Sequence, residues 1–209
     1  MRISTRIFVF LAALAWSPSV NAQTVTPDVV DVQFVDGEII GIRDGSPAIR
    51  SRLQKGERIQ WMDASGTVGA ALTNRRFFAV SSTSVGWQEV RLDADEGTPY
   101  VELGGNLLLC ITEKRILAFS GLSGGVSEQR LSLREAVIAS DANEHVASVV
   151  TDRRAIAFSS ELTDGVESKL GIRERFESLK TLATTATVRT TERLLVFRNS
   201  SGRWATEHF

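Results

Sequence analysis

Val149-Val150-Thr151-Asp152-Arg153-Arg154-Ala155-Ile156-Ala157-Phe158-Ser159-Ser160 decides how this chain folds, because the stretch recurs. Its copies are Leu72-Thr73-Asn74-Arg75-Arg76-Phe77-Phe78-Ala79-Val80-Ser81-Ser82, Ile111-Thr112-Glu113-Lys114-Arg115-Ile116-Leu117-Ala118-Phe119-Ser120-Gly121 and Arg189-Thr190-Thr191-Glu192-Arg193-Leu194-Leu195-Val196-Phe197-Arg198-Asn199. The threonines stand at 73, 112, 151 and 190, a constant spacing of 39. A fixed period of that size marks a repeat architecture, in which one supersecondary unit buries its apolar face only against the next copy.

Working outward, Val146 to Thr151 and Ala155 to Ser159 are β-branched and apolar runs separated by a polar turn, so each copy predicts a hairpin. A glycine loop follows: Ser84-Val85-Gly86, Ser123-Gly124-Gly125, Thr163-Asp164-Gly165 and Ser200-Ser201-Gly202. A third, alternating strand is expected over Val126 to Leu133 and a weaker fourth over Glu135 to Ser140, with Asp141 to Glu144 leading into the next copy. Ile116-Leu117-Ala118-Phe119 is apolar at every position, as a strand covered on both faces must be. A sheet with doubly buried strands and wetter edges is a blade packed between two neighbours. On these features residues 24–209 resemble a β-propeller repeat array, although the WD dipeptide and the kelch-type double glycine are missing.

That resemblance implies an all-β fold: a small propeller of about five four-stranded blades of ~39 residues. A degenerate first copy lies at Asp36 to Ile42, with Ile39 placed 38 residues before Phe77. Arg203 to Phe209 matches only a third strand, so the missing outer strand is assigned to Gln23 to Val30, and pairing of the N- and C-terminal strands is expected to close the ring. The hairpin turns are expected innermost, around one mouth of the central channel. A membrane barrel would need alternating lipid-facing residues and aromatic girdles, and the chain has a single tyrosine. An irregular sandwich would not keep the 39-residue period.

Arg2 and Arg6 precede an unbroken apolar run, Ile7 to Trp16, and Val20-Asn21-Ala22 follows with small residues at the cleavage positions. Residues 1–22 are therefore expected to be a secretory signal peptide, and 23–209 a single propeller domain, periplasmic or secreted. Removing Arg2 and Arg6 leaves 22 basic against 25 acidic residues, a net charge of −3 that argues against nucleic acid. No later stretch is long and apolar enough to span a bilayer. The one cysteine, Cys110, sits in Leu107-Leu108-Leu109-Cys110-Ile111 and is expected to be a buried core thiol.

Among candidate functional residues, Arg76, Arg115, Arg154 and Arg193 come first. Four guanidinium groups near one axis could bind an anion or a partner's carboxylate; alternatively, each could pair with an acid of a neighbouring blade. Gly121-Leu122-Ser123-Gly124-Gly125 matches a nucleophile elbow in letters only, because no helix follows it. Asp93-Ala94-Asp95-Glu96-Gly97 resembles a fragment of a calcium loop but is better explained as an acidic turn. His145 and His208 are too far apart in sequence, and too poor in partners, to suggest zinc. Trp61, Trp87 and Trp204 do not share one repeat position, and no repeated acid is evident at the strand starts. The sequence thus points to a monomeric, non-enzymatic scaffold binding protein or an envelope polymer, with no catalytic residue, metal or cofactor. Carbohydrate binding or glycoside hydrolysis near Trp61, Asp63 and Trp87 is the alternative.

Overall fold

The computed structural model describes residues 28–161 and 164–208, and these form nineteen strands with no helix. The first sheet has three strands: β1 (Val30–Val35), β2 (Glu38–Arg43) and β3 (Ser46–Arg52). The second comprises β4 (Ile59–Ser65), β5 (Val68–Thr73), β6 (Arg76–Ser81) and β7 (Gln88–Arg91). The third comprises β8 (Tyr100–Leu103), β9 (Leu107–Ile111), β10 (Arg115–Ser120) and β11 (Val126–Arg130). The fourth runs through β12 (Val137–Ala142), β13 (Val146–Thr151), β14 (Arg154–Ser159) and β15 (Val166–Lys169). The fifth holds β16 (Phe176–Leu182), β17 (Thr185–Thr190), β18 (Arg193–Arg198) and β19 (Arg203–His208). Each sheet is an antiparallel meander in chain order, so each is one blade.

The repeat is framed differently from the sequence-based expectation. The strand over Glu135 to Ser140, expected to end a blade, instead begins the next one: β12 pairs with β13, Ser140 opposite Val149. The chain crosses between blades at Leu131 to Ala136, where buried Glu135 bonds forward to β13 and β14. The recurring hairpin is consequently the central pair of its sheet, flanked on both sides, and not the innermost edge. The same shift changes the reading of the termini. β19 is the fourth strand of the fifth sheet, where the sequence-based expectation gave that blade three strands of its own. β1 pairs with β2, Val30 opposite Arg43, and the first blade is the one with three strands among the described residues. Most of the expected closing segment, Gln23 to Val30, lies outside the described residues, as does the expected signal peptide.

Burial explains why the central strands have their composition. β5, β9 and β13 are buried at every position. Leu72, Phe77 and Ala79 of the second blade pack on Leu108, Cys110, Leu117 and Phe119 of the third. Leu109, Ile111 and Ile116 pack in turn on Val149, Ile156 and Phe158 of the fourth. Each fully buried Phe or Leu contributes about 2 kcal/mol by removal of apolar surface from water. The end blades differ. In β17, buried Ala186, Val188 and Thr190 alternate with more open Thr185, Thr187 and Arg189, and in β1 buried Val30 and Val32 alternate with exposed Asp31 and Gln33. One face of each end blade is covered by its neighbour and the other is less so: Thr187 and Val196 are half-buried on the fifth, and on the first Ile42 is exposed while Ile40 is buried.

Candidate functional site

The four expected arginines stand at one repeated junction, each at the start of a central strand. Arg76 Nε and Nη2 donate to both oxygens of Glu57 at 2.9 and 2.6 Å, and Nη1 donates to Glu89 at 2.6 Å. Its Nη2 also reaches the Arg52 carbonyl, 3.1 Å away at the end of the preceding blade. Arg115 repeats this with Glu96 at 3.1 and 2.7 Å, Glu128 at 2.8 Å and the Arg91 carbonyl at 2.6 Å. Arg154 does so with Glu135 at 2.7 and 3.1 Å, Glu167 at 2.6 Å and the Arg130 carbonyl at 2.6 Å. Arg193 holds Glu174 at 2.8 and 3.1 Å and the Lys169 carbonyl. A planar fork matches a carboxylate in two parallel bonds, which an ammonium cannot do.

The threonine completes the cluster. Thr73, Thr151 and Thr190 hydroxyls donate to Glu57, Glu135 and Glu174 at 2.7, 2.8 and 2.7 Å. Their oxygens accept the turn's amide N–H groups, including those of Arg76, Arg154 and Arg193. Each glutamate also accepts an amide N–H from its own turn, at Gln54, Asp93, Ser132 and Gly171. Burial alone would raise the Glu57 carboxyl, but the Arg76 guanidinium, the Gln54 amide and the Thr73 hydroxyl outweigh it and hold the group at about 2. Glu96, Glu135 and Glu174 are opposed by burial and lowered by the same three kinds of partner.

These glutamates are what the sequence reading missed. Glu57, Glu96, Glu135 and Glu174 are themselves spaced by 39, and Glu89, Glu128 and Glu167 form a second such row. The acidic turn Asp93 to Gly97 is one instance: Glu96 joins this cluster and Asp95 pairs with Lys114. The first blade breaks the pattern, with Glu38 at the arginine position, facing Arg50 at 3.3 Å. The pairs with Glu57, Glu96, Glu135 and Glu174 therefore tie the crossing between blades to the blade that follows, and those with Glu89, Glu128 and Glu167 brace the blade itself. An incoming anion would compete with two carboxylates and a carbonyl at Arg76, Arg115 and Arg154.

The other candidates separate in space. Gly121 to Gly125 forms the turn between β10 and β11. The His145 ring lies 3.0 Å from the Ser160 hydroxyl, whereas His208 is exposed on β19. Trp87 and Trp204 do share a repeat position, 117 residues apart, and both pack on phenylalanines: Trp87 edge-on to Phe78 at 6.0 Å and Trp204 on Phe197 at 5.6 Å. Trp61 packs on the cluster between the second and third blades. A glycoside-hydrolase general acid needs a raised carboxyl pKa, and the carboxyls that move here move down. Cys110 is buried, and burial pushes its thiol up to about 12. No group of three or more possible metal ligands occurs among the described residues.

No protein-family profile matches the chain, and no curated protein matches it. Solved structures do. A chain in the crystal structure of Kap60 bound to yeast RCC1 (Prp20) aligns with 79% of this chain at 10% identity and a TM-score of 0.39. Kluyveromyces lactis Hsv2 aligns with 88% at 12% identity, TM-score 0.39, and BamB from Moraxella catarrhalis with 87% at 17% identity, TM-score 0.36. This chain spans 53% of the first of those chains, 73% of the second and 61% of the third. At such identities the likeness is one of fold alone, and the assignment rests on the five successive meanders and their face-to-face packing. By that architecture the chain is a β-propeller repeat protein.

Proposed function

We propose that this protein is an exported, non-enzymatic scaffold that binds other proteins in the cell envelope. The observation that carries the reading is the placement of Leu133 and Ile172. They stand 39 residues apart, at equivalent tips of the crossings into the fourth and fifth blades, and both are almost fully exposed. Arg134 and Arg173 follow them directly, also exposed. A single exposed apolar side chain is ordinary on a protein surface; the repetition of this one at equivalent tips, each time beside an arginine of the kind enriched at interfaces, is what singles the rim out. The repeated buried polar groups, by contrast, are engaged in holding blade to blade. Export rests on the Arg2, Arg6 and Ile7 to Trp16 pattern ahead of Val20-Asn21-Ala22.

The test is crosslinking capture from an envelope extract with the wild type and an L133S/I172S variant. A stoichiometric protein retained by the wild type and lost by the variant is expected. Equal capture by both would remove this rim from the reading, and capture of none would remove the scaffold role. Export is checked separately by intact mass of the protein recovered from the periplasm or medium, with Gln23 expected at its N-terminus.

A further inference from the structure

The two open faces belong to opposite ends of the same repeat. Ala186 and Val188 pack back on the fourth blade, so Thr185, Thr187 and Arg189, with their cross-strand partners Arg198, Val196 and Leu194, form the forward face of the fifth. Val30, Val32 and Ile39 pack forward on Ala71, Phe78 and Val80, which leaves Asp31, Gln33, Ile40 and Ile42 on the backward face of the first. At the internal junctions a forward face always meets the next backward face. Among the described residues, one of each is left over at the ends.

Their chemistry differs from the internal faces in a matched way. Arg198 occupies the position of Ser81, Ser120 and Ser159, and Arg189, ion-paired to Glu177, that of Leu72, Ile111 and Val150. Exposed Lys180 and Arg203 lie opposite Thr187 and Arg198 on the neighbouring strands. At the other end, Asp28, Asp31, Asp44 and Asp63 line one surface groove beside Ile42. With Glu207 opposite Leu194 and Arg43 in the groove included, one end is net basic and the other net acidic.

Contacts at the internal junctions give the register. The Ser120 hydroxyl donates to the Ser160 carbonyl at 2.6 Å, and the Ser159 hydroxyl contacts Asn199. Carried one blade further, Arg198 faces the next occupant of that site, and the equivalent residue in a first blade is Asp44. A backbone ladder runs the same way: Val29 to Gly66, Thr67 to Gly105, Asn106 to Glu144 and His145 to Ala183, each N–H to carbonyl at 2.8–2.9 Å. Its next donor is the Thr184 N–H, and its equivalent acceptor in a first blade is the Asp28 carbonyl. We propose that the fifth blade of one copy docks on the first blade of a second copy, with Arg198 against Asp44 and the backbone ladder continued across the joint. Leu194 and Val196, both half-buried in the single chain, then cover Ile42. Such a head-to-tail contact is heterologous, so assembly proceeds to a closed ring or an open filament.

The experiment is sedimentation of the purified protein across concentration, with the single variants Arg198→Asp and Asp44→Arg and the double variant carrying both. The wild type is expected to sediment at a multiple of the one-chain mass, each single variant to raise the apparent dissociation constant at least about tenfold, and the double variant to recover it, since 1.4 kcal/mol is tenfold in affinity. Far-UV circular dichroism matching the wild type confirms that the exposed substitutions leave the fold intact. A wild type that stays monomeric up to about 100 μM would overturn the proposal, since it leaves the contact weaker than about 5.5 kcal/mol. So would an oligomer indifferent to both single variants.

Discussion

Glu135 and Arg154 show what one clasp is worth. The carboxylate is buried, receives two guanidinium bonds, a hydroxyl bond and the Ser132 amide, and has no solvent to fall back on. Arg154→Ala leaves that charge stranded, and removing one partner of a buried pair costs about 3–5 kcal/mol. Urea unfolding should register the loss, whereas Arg50→Ala, at a largely exposed pair with Glu38, should change stability by about 0.5 kcal/mol or less. Equal effects would show that the clasps do not hold the blades together. Acidity follows from the same groups. The Glu57 carboxyl lies at about 2 in the fold against 4.5 in its ordinary range, so folding favours the ionised form. That stabilisation is complete above pH 4.5 and disappears as pH falls toward 2. Melting temperature should therefore stay level through neutral pH and drop below about 4.5, with a flatter acid limb in Glu57→Gln; a variant with the wild-type acid limb would assign the sensitivity elsewhere.

At the scale of the element, the connections between strands are set by close backbone approach. Gly66 turns β4 into β5 with φ +57°, and a Cβ there would sit 2.3 Å from the Gly105 carbonyl of the next blade. Gly66→Ala must therefore push neighbouring blades apart as well as strain a turn, and a loss of about 2–3 kcal/mol is expected by thermal unfolding. Gly45 has φ +64° but nothing within 4 Å, so Gly45→Ala should cost only about 1 kcal/mol. Similar losses at both positions would rule out the steric contribution. Cys110 on β9 reports on the same packing. Buried and far from a thiolate, it should react with a disulfide reagent only as fast as the sheet opens. Prompt labelling in native buffer would mean that the second and third blades separate readily.

Across the whole molecule, stability should fall toward both ends. Blades two to four have central strands covered on both faces, while blades one and five are covered on one. Native-state hydrogen exchange is expected to be slowest in β9, β10, β13 and β14, and faster in β1 to β3 and β16 to β19. Head-to-tail assembly through the end faces should slow exchange at the ends specifically. Uniform protection in a monomer would point instead to a chain whose own ends meet.

The period, the strand-rich class and the blade count were legible from the sequence, because double burial demands apolar residues and stacking repeats the demand every 39 positions. Thr151 and Arg154 stood out for the same reason: they flank a strand that cannot vary. Glu135 recurs just as regularly, yet it stands among polar residues 16 positions before Thr151, and nothing in one dimension joins it to Arg154. The pairing becomes visible only when β12 is assigned to the same sheet as β13. That assignment also moved β16 into the fifth blade and made β19 its fourth strand, while among the described residues β1 pairs with β2 alone. Local burial and composition are properties of a segment and can be read along the chain. Which edge a strand joins, which charges meet and which faces stay open are set by packing between segments, and only the tertiary structure decides them.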